Sequence, residues 1–170
     1  MKNIILCGFM GCGKSTVGKF LAKKSGMTFV DMDTYIENMA GMTVKEIFAE
    51  KGEAHFRDLE HQACIELSQN GNKVIAAGGG TLTFDRNINA LKNNGTILLL
   101  EVSYEKLCIR LRNDTTRPLL QCENRNQKIQ ELLTKRMPIY KKAADIIING
   151  DLVPNKVVPE IMEKLELANN

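Results

Sequence analysis

Residues Gly8-Phe9-Met10-Gly11-Cys12-Gly13-Lys14-Ser15 fill the spacing G-x-x-x-x-G-K-[ST] in full, and no other stretch restricts the fold as strongly. The apolar run Asn3–Cys7 before it reads as a short buried strand, and residues 16–24 after it carry apolar side chains at helical spacing. Strand, glycine-rich loop and helix follow in the order a phosphate cradle requires. Without Cβ atoms at Gly8, Gly11 and Gly13, the loop can turn its N–H groups onto phosphate oxygens. The helix adds the positive end of its dipole at the same point. The expected ATP-binding segment is therefore Gly11, Cys12, Gly13, Lys14, Ser15 and Thr16, with Lys14 reaching the β- and γ-phosphates and Ser15 offering its hydroxyl to Mg2+.

A chain of 170 residues is expected to form one domain around one core. The net charge of +3 is too small to argue for nucleic acid, and no dense run of Lys and Arg occurs. No apolar run is long enough for a membrane span and no cleavable leader is evident, so a cytoplasmic protein is expected. Five cysteines, an odd number without a C-x-x-C pair, indicate reduced thiols rather than a disulfide framework or a zinc site. Cys12 stands close to a helix N-terminus, where thiol pKa values fall. Its oxidation or alkylation is expected to block nucleotide binding; the alternative is a small side chain filling a variable position.

Downstream, Ser25-Gly26 stops the first helix and a second strand ends in Asp31-Met32-Asp33. In an extended segment, residues i and i+2 face one side, so both carboxylates point to the C-terminal end of a strand, where open α/β sheets bind ligands. One of them, Asp31, can assist the magnesium; the other, Asp33, can orient an acceptor hydroxyl or simply cap a helix starting at Thr34. Gly41 breaks that helix, Thr43 and Glu46 have the spacing of a capping box, and Gly52 interrupts again before a helix over 53–69. His55 and His61 lack metal-ligand spacing and are taken as ordinary helix residues, and Arg57 alone reads as a solvated side chain. A third strand runs into Gly78-Gly79-Gly80, three residues that mark close backbone approach to a ligand or a neighbouring segment. The acid that often ends this strand in phosphate-loop proteins is absent, which leaves the metal to Ser15 and Asp31.

Asp85 and Ser103 are expected to cap the next two helices, on either side of a fully apolar fourth strand over 96–101. Residues 113–124 show neither helical nor strand period and read either as a plain surface loop or as a lid. In the lid reading Arg117 swings over the phosphates. A helix over 125–144 should kink or restart at Pro138, a fifth strand covers 145–149, and a last helix 154–167. The alternation of strands and helices gives an α/β fold of three layers, α/β/α, with a five-stranded parallel sheet.

Taken together, GFMGCGKST, the FVDMD strand end, Phe56-Arg57 with Glu60, the strand running into GGGT, Arg117-Pro118-Leu119-Leu120, and Arg136 with Tyr140 in RMPIY resemble the shikimate kinases over about residues 2–150. The resemblance implies a phosphate-loop kinase of the nucleoside-monophosphate-kinase type with sheet order 2-3-1-4-5. It implies a single kinase domain over 1–170, with a substrate-binding helical insertion at about 33–69 and a lid at about 112–125. The implied activity is ATP-dependent phosphorylation of the 3-hydroxyl of shikimate, on the way to chorismate and the aromatic amino acids. Lys14, Asp33 and Arg117 are then catalytic. Arg57 and Arg136 form a carboxylate clamp, Asp33 partners the ring hydroxyls, and Gly78, Gly79 and Gly80 lie against the substrate. The family resemblance also suggests a monomer, acting on small molecules without nucleic acid or membrane.

One departure stands out. The basic, proline-containing loop usual after the fifth strand keeps Pro154 here but lacks the arginine, so the purine is expected to rest on backbone groups and on Arg110 or Arg117. The nearest rival is a gluconate or nucleoside monophosphate kinase on the same fold. A phosphate-loop switch is the rival from another class, but it needs an N/T-K-x-D base reader and a D-x-x-G element, and neither string occurs.

Overall fold

The computed structural model describes residues 1–168. Five strands, β1 (Asn3–Cys7), β2 (Thr28–Asp31), β3 (Lys73–Ala76), β4 (Gly95–Glu101) and β5 (Ile146–Asn149), form one sheet in the order β2-β3-β1-β4-β5. Every neighbouring pair is parallel, with Ile5 opposite both Ile75 and Ile97. Seven helices connect and follow them: α1 (Lys14–Ser25), α2 (Met32–Ala40), α3 (Val44–Gln69), α4 (Asp85–Lys92), α5 (Tyr104–Leu111), α6 (Arg125–Ala143) and α7 (Pro154–Ala168). The central strands explain the continuous apolar runs in the sequence. Ile5, Leu6, Ile75, Leu98 and Leu99 are fully buried because helices cover both faces of a parallel sheet. Helix α1 lies along β2 and β3 and meets α7, whereas α4 and α6 pack on β4 and carry α3 and α5 with them.

Glycines set the breaks where the sequence indicates them. Gly26 and Gly41 end α1 and α2 in left-handed conformations (φ of 69° and 65°), and Gly52 interrupts α3 with φ 83°. The Thr43–Glu46 capping box is formed in full, the Glu46 carboxylate accepting from Thr43 N at 2.7 Å while Glu46 N donates to Thr43 Oγ1 at 3.2 Å.

Other local expectations fail for identifiable reasons. Ser103 occupies the N-cap position of α5 but its hydroxyl does not cap the helix: Asp151, from the β5–α7 loop, bonds both the Ser103 N–H, at 2.8 Å, and its side chain. Phe84, not Asp85, stands at the N-cap of α4, and Asp85 begins the helix, where a carboxylate complements the dipole. Pro138 does not divide α6, which runs unbroken from Arg125 to Ala143. Proline deprives only one carbonyl of its helical partner, and Tyr140 and Ala143, buried just beyond it, hold the helix on the core. Within the aperiodic stretch 113–124, Pro118–Leu120 forms a 3-10 turn anchored by the fully buried Leu120.

Candidate active site

A cleft of about 710 Å³ opens at the C-terminal ends of β1, β2 and β3. Its walls include Gly11, Gly13, Lys14, Ser15 and Thr16 from the loop and first turn after β1, Asp31 and Asp33 from the end of β2 and the start of α2, and Gly78 and Gly79 after β3. Arg136 of α6 and Thr116 and Arg117 of the segment between α5 and α6 complete it. Residues far apart in the chain therefore share one cavity at the carboxyl edge of a parallel sheet, where this topology leaves room for a ligand.

The loop is shaped by its glycines. Gly8 adopts φ 147°, and a Cβ there would lie 2.7 Å from the Cys12 sulfur and 2.8 Å from the Leu100 carbonyl oxygen. Gly13 at φ 96° precedes α1 with open space around it, so backbone N–H groups of the first turn are accessible to a phosphate. The Lys14 ammonium donates to the carbonyls of Gly8 at 2.8 Å and Phe9 at 3.3 Å, which keeps it over the loop. Arg110 of α5 braces the same loop from behind, donating to the carbonyls of Cys12 at 3.2 Å and Gly150 at 3.1 Å. Cys12 itself is turned into the core and only 2% exposed, so its thiol is shielded from oxidants and alkylating reagents. A second cavity, of about 340 Å³, lies on this side between Arg110, Gly150, Leu152 and Pro154.

Asp31 and Asp33 do meet in the cleft, but not as alternate residues of a strand. Strand β2 stops at Asp31, which caps α2 by accepting from Thr34 N at 3.3 Å, and Asp33 already lies in the first helical turn. The other oxygen of Asp31 accepts from the Ser15 hydroxyl at 3.2 Å. Asp33 is open to the cleft solvent yet ringed by protein. Burial raises its pKa above the usual value, the Asp31 and Glu60 carboxylates push the same way, and Lys14 opposes them.

Arg57 is no solvated side chain. It lies half-buried with its guanidinium 3.1 Å from the buried Glu60 carboxylate and 3.4 Å from Glu53, between the rings of Phe56 and Phe84. It stands beside the cleft rather than on its wall, and its Nε is buried without a hydrogen-bond partner among the described residues. Glu60 accepts in addition from Thr81 Oγ1 at 2.8 Å and Asn87 Nδ2 at 3.4 Å, so the carboxylate that fixes Arg57 is itself fixed. His61, taken as an ordinary helix residue, contacts Asn87 Oδ1 at 3.0 Å.

The three glycines now have a reason. A Cβ on Gly78 would lie 3.1 Å from Asp33 Oδ1, one on Gly79 3.4 Å from an Arg136 nitrogen, and one on Gly80 2.7 Å from an Arg57 nitrogen. Each glycine makes room for polar side chains from other elements, Gly78 for those of Thr81 and Glu60 as well as Asp33. Arg117, in turn, is paired with Asp114, which also accepts from the Thr116 and Arg117 N–H groups at 2.9 and 3.1 Å. Sequence reading passed over the inward contacts of Glu60, Tyr140 and Asp114. The signals available were the i+3 spacing of Arg57 and Glu60, the i+4 spacing of Arg136 and Tyr140, and the Asp-x-x-Arg turn.

The shikimate kinase family model matches residues 10–166. The chain is 45% identical to the shikimate kinase of Thermodesulfovibrio yellowstonii over 170 residues, covering 100% of this chain and 98% of that protein. It is 44% identical to that of Sulfurihydrogenibium sp., covering 98% and 99%. Among solved structures, the shikimate kinase from Acinetobacter baumannii in complex with shikimate superposes with a TM-score of 0.89 at 37% identity, over 100% of this chain and 95% of that one. The shikimate kinase from Aquifex aeolicus gives 0.82 at 36% identity, with 98% of each chain covered. A phosphate loop, a parallel sheet in the order β2-β3-β1-β4-β5 and matches along nearly the whole length agree: the chain belongs to the shikimate kinase family.

Proposed function

We propose that this protein transfers the γ-phosphoryl group of ATP to the 3-hydroxyl of shikimate, giving shikimate 3-phosphate and ADP. The observation that carries the reading is one cleft whose walls bring together Lys14 and Ser15 of the phosphate loop with Asp33, Gly79, Arg136 and Arg117. Nothing in phosphoryl transfer demands a covalent intermediate, and such an arrangement supplies what the reaction needs, namely alignment and stabilisation of charge.

Lys14 and the N–H groups of the loop and first turn of α1 hold the phosphates. The neighbouring cavity between Arg110 and residues 150–154 accommodates the purine, which favours Arg110 over Arg117 for that contact. Asp33 orients the acceptor hydroxyl, and its raised pKa suits it to take the hydroxyl proton. Arg136 and Arg57 bind the carboxylate, whose geometry a guanidinium matches with two parallel bonds. Residues 112–125 act as the lid: on closure Arg117 exchanges Asp114 for the transferring phosphoryl group and water is excluded. The helices over 33–69 bring Asp33 and Arg57 to the acceptor.

Magnesium fits the donors present. The Ser15 hydroxyl and Asp31 carboxylate are adjacent hard oxygen ligands, and no cluster of three or more His, Cys, Asp or Glu side chains suited to a metal occurs among the described residues. An ion that keeps most of its water and shares phosphate oxygens needs no more. Bound there, it neutralises charge on the β- and γ-phosphates. The protein is further read as a cytoplasmic monomer; among the described residues no helix is long and apolar enough to cross a membrane.

Release of ADP from Mg-ATP by the purified protein tests the assignment, with shikimate, gluconate, nucleoside monophosphates or no acceptor supplied. Release that requires shikimate is expected. Release with another acceptor instead would keep the phosphate site and overturn the acceptor.

A further inference from the structure

Helix α6 presents two side chains to the glycine loop, four residues and about one turn apart: Arg136 and Tyr140. The Tyr140 hydroxyl, on a residue only 1% exposed, donates to the Gly79 carbonyl at 2.7 Å, a contact that spans 61 residues of sequence. Arg136 meets the same glycine from the cleft side. The Gly79 N–H has no acceptor among the described residues, although Gly79 lines the cleft. Gly79 is thus held on both sides, its own carbonyl by Tyr140 and the Gly78 carbonyl, on the peptide that carries the Gly79 N–H, by the Thr81 N–H at 3.2 Å, while that Gly79 N–H is left for a ligand.

We propose that Tyr140 is a positioning residue for the acceptor: by tethering the Gly79 carbonyl it anchors the C-terminal side of Gly79, and so holds the N–H on the residue's other side toward the cleft and in register with Arg136. The proposal rests on the reading of the cleft as the shikimate site. Burial pushes the Tyr140 hydroxyl up to about 12, with Arg136 as the main opposing charge, so the hydroxyl remains a donor throughout the working range of pH. Tyr140 touches neither reacting atom, and its effect falls on one substrate alone.

The test compares Tyr140→Phe, which keeps the ring and removes only the hydroxyl, with the wild type. The shikimate KM is expected to rise about 5- to 20-fold, the loss of one buried hydrogen bond, while the ATP KM stays within about twofold. An unchanged shikimate KM, or an equal rise in both, overturns the role. In nitrogen-15 glycine-labelled wild type, the Gly79 amide, identified by its absence in Gly79→Ala, is expected to shift on addition of shikimate alone. A Gly79 amide that does not move overturns the proposal even if the Phe variant fails to fold. A wild-type protein without shikimate-dependent turnover removes the reading of the cleft and this role with it, whereas active wild type with an indifferent Phe variant removes only the role.

Discussion

The phosphate loop reaches the cleft within one short piece of chain, residues 10–16, whereas Asp33, Gly79 and Arg136 arrive on α2, the loop after β3 and α6, with Arg57 of α3 standing beside it. The phosphate half is mainly backbone, held in shape by glycine and by the first turn of a helix. The acceptor half is mainly side chain, held by other side chains: Glu60 behind Arg57, Tyr140 behind Gly79. A site of the first kind is specified locally and recognises what all nucleotides share. The second kind exists only after folding, and it is where one acceptor is told from another.

That contrast is most sharply broken or upheld by removing charge from the phosphate half. Lys14→Met should lower kcat/KM by about 10³-fold or more, since in the proposed function it deletes the cation over the β- and γ-phosphates. Shikimate binding by calorimetry should stay near wild type; a lost shikimate affinity would mean that the halves are not independent.

Asp33→Asn sits at the seam between them. Turnover should fall about 10²- to 10⁴-fold. Because burial and neighbouring carboxylates raise the Asp33 pKa in the folded state, the folded protein holds that proton to higher pH than the unfolded chain. Its ionisation therefore costs stability as pH rises through the raised value, and the cost disappears in acid, where both states hold the proton. The Asn variant should melt slightly higher than wild type at pH 7, with the gain vanishing in acid. The wild-type acid limb of kcat/KM should likewise lie above the range of an ordinary carboxylate. A variant that melts lower at pH 7 would contradict the assigned direction.

In the acceptor half, Arg57→Ala should raise the shikimate KM about 10- to 100-fold and leave the ATP KM near wild type, as expected for one charge-assisted contact. It should also lower the melting temperature, because the 1% exposed Glu60 side chain loses its cation. An equal loss for both substrates would break the division between the halves.

The smallest effect lies outside both. Thr43→Ala removes the capping box of α3 and should cost about 1 kcal/mol, or about 2–4 °C in melting temperature, with both KM values unchanged.

The same contrast explains what could be read from the chain. Gly8 to Thr16 announce themselves because spacing alone encodes a backbone cradle. Gly26, Gly41 and Gly52 mark breaks that the backbone obeys, and the buried strands β1 and β4 show as apolar runs. Sheet order came from family resemblance, not periodicity, since which strands adjoin depends on packing across the whole chain. Arg57 reads as solvated because, beyond the i+3 signal of Glu60, the groups that enclose it include Phe84 and Gly80, more than twenty residues away. Asp33 lines the cleft from the first turn of α2 and not from the end of a strand, though both can aim a carboxylate at one cleft. Ser103 does not cap α5 because Asp151, distant in sequence, engages its side chain as well as its N–H.

The most direct measurement of the central claim is the phosphorus-31 NMR spectrum of Mg-ATP and shikimate incubated with the protein, beside the Asp33→Asn variant. The account predicts loss of the γ-phosphate signal with growth of ADP and one phosphomonoester, coupled to the proton at the 3-position of shikimate, and little change with the variant. Inorganic phosphate as the product, a phosphomonoester at another hydroxyl, or equal turnover by the variant would contradict it.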